Sequence, residues 1–81
     1  MNKKTFTQVV TLIDERRIFL EGRIKKYNEI IDIIKEDIEI TKEDIKEINK
    51  LNSKIFEIRE ELRELALQLE KALNEYVAYH K

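Results

Sequence analysis

The stretch Ile40-Thr41-Lys42-Glu43-Asp44-Ile45 lies at the middle of an 81-residue chain and reads as the start of a helix. Thr41 carries the hydroxyl that caps a first turn, and Asp44 stands three residues on, where a capping box has Glu or Gln. Ile40 and Ile45 take the N′ and N4 positions of a hydrophobic staple. Glu43 and Asp44 add negative charge where the dipole of a new helix favours it. A helix that begins here requires the preceding one to stop, so a chain reversal is expected at about residues 39–41.

Outward from that point the helical period is legible in both directions. On the N-terminal side Val10, Ile13, Leu20, Ile24, Tyr27, Ile31, Ile34 and Ile38 share an alternating three-and-four spacing, broken only by Arg17. The same track runs through Ile45 and Ile48, then shifts by one residue to Leu51, Ile55, Ile58, Leu62, Leu65, Leu69, Ala72 and Tyr76. Such heptad-like stripes belong to helices packed nearly parallel or antiparallel. The expected fold is therefore all-α: an antiparallel two-helix hairpin, coiled-coil-like, forming a single domain over 1–81. Helix 1 is expected near 4–38 and helix 2 near 42–78, each about 50–55 Å long at 1.5 Å rise per residue.

Reversal about residue 39 or 40 sets Ile34 opposite Ile45, Ile31 opposite Ile48, Ile24 opposite Ile55 and Leu20 opposite Ile58. Farther out Ile13 meets Leu65 or Ala66, Val10 meets Leu69, and Phe6 meets Leu73, with Tyr76 and Tyr79 near Phe6. The basic run Arg16, Arg17, Arg23, Lys25 and Lys26 then faces Glu57, Glu60, Glu61 and Glu64. Two other architectures use the same residues. Helix 1 would end at Lys35-Glu36-Asp37-Ile38-Glu39, which offers no Gly for a left-handed cap and the wrong charge for a helix C-terminus. One continuous helix with a stammer after Ile48, or three helices broken at Asn49, Asn52 and Ser53 together with Gly22 or Asn28, remain open on sequence alone.

Composition excludes other classes. Hydrophobic residues make up 42% and charged residues 41%, with one Gly and no Pro, Cys or Trp. So few turn-formers cannot build a sandwich, barrel or doubly wound sheet. Without Cys there is no disulfide scaffold and no thiolate metal site. Sixteen basic residues against 17 acidic ones leave a net charge of −1, and no overall field draws the chain to nucleic acid or anionic lipid. No window approaches a membrane span, and no signal-peptide h-region opens the chain, so a cytoplasmic location is expected.

Catalytic, cofactor and metal sites are not expected. The single His, His80, sits beside the C-terminus, where a solvated terminal role is expected, and the carboxylates form no Glu-x-x-His motif of a di-metal bundle. Gly22 stands alone and forms no phosphate-cradling loop. The segment Arg16 to Lys26 has five basic residues and one acidic one. It suits a nucleic-acid accessory factor less well than a hairpin whose second helix supplies the opposing charge.

One seam leaves apolar residues over. Val9, Leu12, Phe19, Ile30 and Ile33 form a second stripe on helix 1, interrupted by Arg16, Arg23 and Lys26, while Phe56 and Leu67 lie off the track of helix 2. Chains of this size seldom build a sufficient core alone, and Ile at both a and d positions shifts coiled coils to higher helix number. A homo-oligomer is expected, a dimer of hairpins forming a four-helix bundle. Ile30 and Ile33 are assigned to that dimer interface, and Arg16, Phe19 and Arg23 to a protein partner of unknown identity. The expected function is a non-enzymatic protein–protein interaction module: an adaptor, small chaperone, assembly factor or inhibitor. The usage rich in Ile, Lys, Glu and Asn hints at a phage, viral or other AT-rich genome. A structural coiled-coil spacer is the alternative.

Overall fold

A computed structural model describes residues 1–79; the expectation for His80 falls outside the described residues, as does the side chain of Tyr79. The chain forms two helices, α1 (Lys3–Lys35) and α2 (Lys42–Tyr79), packed against each other as an antiparallel hairpin. That settles the choice against one continuous helix and against three.

Each end of the reversal has a local cause. The Asp44 amide donates to Thr41 Oγ1 at 3.1 Å, and the Thr41 amide donates back to Asp44 Oδ2 at 3.0 Å. This reciprocal pair satisfies two amides that a helix start would otherwise leave unpaired. Ile40 and Ile45 stay 48% and 50% exposed, so the staple is at most half covered within a single chain. The other end differs from expectation: α1 stops at Lys35, three residues before 38, and the connection runs from 36 to 41. The Glu36 amide donates to both the Asp32 and Ile33 carbonyls, and the Asp37 amide to that of Ile34, the tightening of a last turn. Glu36, Asp37 and Glu39 oppose the negative end of the helix dipole, which explains why the helix does not continue through them. Asn2, not anticipated as a cap, accepts the Thr5 amide at 2.8 Å and starts α1 at Lys3.

The seam buries Ile13, Leu20 and Ile31 from α1 and Leu51, Ile55, Ile58 and Ala72 from α2. Its densest part groups Ile31, Leu51 and Ile55 with Ile24, Tyr27, Ile30, Ile34 and Ile48, in the register anticipated. At the far end Phe6 and Tyr76 stack with ring centroids 4.3 Å apart. Between these regions packing loosens, and Val10, Ile13, Leu62, Leu65, Ala66 and Leu69 line a cleft of about 140 Å³. Among the described residues seven apolar side chains are buried, but twelve large ones stay exposed. The hairpin is a rod with Cα extents of 62 × 15 × 12 Å and a radius of gyration of 18.4 Å. A compact domain of this length would have a radius of gyration of about 12 Å.

Candidate interaction surface

The three residues assigned to a partner do come together. Arg16, Phe19 and Arg23 are spaced three and four apart on α1, so they stack along one face. The Arg16 guanidinium lies 5.3 Å from the Phe19 ring centroid, and that of Arg23 lies 5.8 Å from it on the other side. Arg23 continues the ladder to Tyr27, 5.5 Å from that ring, and donates to the Tyr27 hydroxyl. Lys54 of α2 completes it, with Nζ 5.8 Å from the same ring. A guanidinium or ammonium over an aromatic face is held by the ring quadrupole, so Arg23 and Lys54 are placed by ring contacts rather than by a carboxylate.

Arg16 differs from its neighbours because it is also paired. Its Nε and Nη2 donate to the two carboxylate oxygens of Glu61 on α2, at 2.7 and 3.1 Å. The hydrogen bond to Glu61 holds Arg16 above its already high ordinary pKa. The same bond, aided by the charges of Arg16 and Arg23 and opposed by partial desolvation, pulls the Glu61 carboxyl below its ordinary value. The fork-on-fork geometry fixes the register of the two helices more than it stabilises them, because both side chains are nearly half exposed.

Of the anticipated basic-to-acidic apposition, Arg16–Glu61 is the one ion pair between the helices among the described residues. Arg17 turns along its own helix to Asp14 and Glu21. Those two hydrogen bonds raise its pKa. The two residues assigned to a dimer interface separate. Ile33 is 65% exposed, whereas Ile30 is half-buried and packs on the hairpin's own core. Ile30 therefore contributes to both the seam and the outer face, because it lies on the edge between them.

Tyr27 and Lys54 were missed as surface residues. Tyr27 reads as part of the buried track, yet its i, i+4 relation to Arg23 carried the signal for a ladder. Two shallow grooves flank the ladder, each about 290 Å³ and both lined by Arg23 and Tyr27. Neither is enclosed, and they present the Arg23 and Lys54 cations beside aromatic faces. Leu12, Phe19 and Ile33 are each more than half exposed along this face. On the opposite side of α2, Phe56 and Leu67 are exposed as well.

Among the described residues no helix is long and apolar enough to cross a membrane. No protein-family model, no curated protein and no solved structure matches the chain.

Proposed function

We propose that this hairpin is a non-enzymatic protein–protein interaction module that works through the outer face of α1, with Arg16, Phe19, Arg23 and Ile33 as its contact residues. The observation that carries this reading is the row Leu12, Phe19 and Ile33, each more than half exposed along that face. Exposed apolar residues scattered singly need no explanation, but a row at helical spacing bordered by Arg marks a surface that another chain covers. Arg23 beside Phe19 has the composition of an interface centre, where aromatic residues and Arg are enriched.

A photo-crosslinking residue at position 19, installed in the producing cell, tests the reading against the same residue at Ile18, which is equally exposed but off the outer track of α1. Discrete protein adducts at 19 and none at 18 are the expected result. Adducts with nucleic acid, or equal diffuse labelling at both positions, overturn it. The spacer reading draws on the 62 Å rod; it requires no row of exposed apolar residues, and so explains less of the sequence.

A further inference from the structure

We propose that the occupant of this face is a second copy of the chain, laid antiparallel across it about a two-fold axis level with Glu21 of α1 and Glu57 of α2. The inference rests on the interaction-module reading and names its partner. A two-fold interface must be self-complementary, so that when residue i meets residue j, residue j also meets residue i.

The outer track of α1 has that property about residue 21. Reversed on itself, it sets Val9 against the partner's Ile33, Leu12 against the partner's Ile30, and Phe19 against the partner's Arg23. Apolar residues meet apolar ones at both ends, and an aromatic ring meets a guanidinium on each side of the axis. Arg16 meets the partner's Lys26, a like-charged pair, but Arg16 is already neutralised by Glu61.

The track of α2 on the same side is self-complementary about residue 57, in charge rather than in apolar contact. Lys50 falls opposite the partner's Glu64 and Glu43 opposite the partner's Lys71, with Glu57 on the axis facing its own copy. The two centres coincide in height. Arg16–Glu61 and Tyr27–Lys54 bracket the region and place residue 21 level with residues 56–60 of α2. One axis therefore serves both helices, although the two tracks were read independently.

Other arrangements of the same face fare worse. A parallel pairing sets Lys50 and Lys54 of α2 against their own copies and Glu61 and Glu64 against theirs, with no opposite charge between them. Crossing α1 over the partner's α2 buries Leu12 against Gln68 and Ile33 against Glu47, which desolvates polar groups without pairing them. The broad side of the 62 × 15 × 12 Å rod offers an area of the order that a stable interface needs, about 800 Å² per partner.

The experiment uses two single-cysteine variants of this Cys-free chain, Leu12→Cys and Ile30→Cys, refolded together and oxidised at micromolar concentration. The mixed sample is expected to give an interchain disulfide and neither variant alone to do so, because positions 12 of the two chains lie about 27 Å apart at 1.5 Å per residue. A band from either variant alone, or a monomer in sedimentation at tens of micromolar, overturns the proposal. Ile30 also packs on the hairpin's own core, so a second pair of variants avoids it. Neither Lys50 nor Glu64 is among the ion-paired residues of the hairpin. Lys50→Glu should weaken dimerisation roughly tenfold, since the axis repeats the lost pair and the new repulsion twice. Adding Glu64→Lys should restore it, and failure to restore it overturns the proposed register. A monomer whose position 19 still yields protein adducts in the cell sinks the second-copy proposal and leaves the interaction module standing.

Discussion

Thr41 and Asp44 show how much two side chains decide. Their reciprocal hydrogen bonds close the start of α2 while the chain from 36 to 41 has neither Gly nor Pro to force a turn. Thr41→Ala should cost on the order of 1 kcal/mol of stability, measured by chemical denaturation, with the helical signal of the folded state unchanged. Asp44→Ala should act in the same direction, and the double variant should cost less than the sum, because each residue's bond lies within one box. A second test at this scale concerns pH. The Glu61 carboxyl is depressed by its bond to Arg16, so its contribution is present above the ordinary carboxylate range and is lost as pH falls through the lowered value. Replacing Glu61 by Gln should flatten that part of the acid-unfolding profile. The capping box was legible in sequence because its partners are three residues apart. Arg23 on Tyr27 was less so: spacing allows the contact, but only packing reveals that Tyr27 keeps a face toward solvent.

At the scale of elements, the hairpin followed from the apolar tracks and from one start signal, and its register followed from the position of that signal. Ile31 with Ile48, and Ile24 with Ile55, fall in one packed cluster, as the reversal about residue 39 or 40 sets them. The C-terminus of α1 was less legible. Periodicity alone carries the helix to Ile38, but three acidic residues against the dipole end it at Lys35, leaving Ile38 fully exposed. Periodicity also could not foresee the looseness of the distal seam, which depends on side-chain volumes: Ala66 and Val10 are too small to fill what Leu62 and Leu69 enclose. Cysteines at Ile13 and Ala66, which line that same cleft, should close an intrachain bridge at low protein concentration. Predominantly interchain products on a denaturing gel would instead mean that α2 packs on the α1 of another chain. Ala66→Val should raise the unfolding midpoint, because it adds apolar contact where space exists rather than where the seam is already dense.

For the molecule as a whole, the shape poses the problem that the proposed association would answer. A radius of gyration of 18.4 Å, against about 12 Å for a compact domain of this length, means that surface is traded for length. Seven buried side chains along two helices of 33 and 38 residues make a thin core. Ordering that much backbone costs about 1–2 kcal/mol per residue, and chains of this size seldom offset it with one seam. If the outer face of α1 is covered by association, folding and assembly are one equilibrium, and the unfolding midpoint must rise with protein concentration. The expected result is a midpoint that climbs steadily from micromolar to submillimolar protein. Phe19→Ala should lower it most at the concentrated end, where the dimer is most populated. Ile18→Ala is the control: Ile18 is as exposed as Phe19 but lies off both the seam and the outer track, so its removal should leave the concentration dependence intact. A midpoint independent of concentration over that range, with sedimentation giving one chain, would mean that the single seam suffices and that the exposed row of α1 serves a different protein.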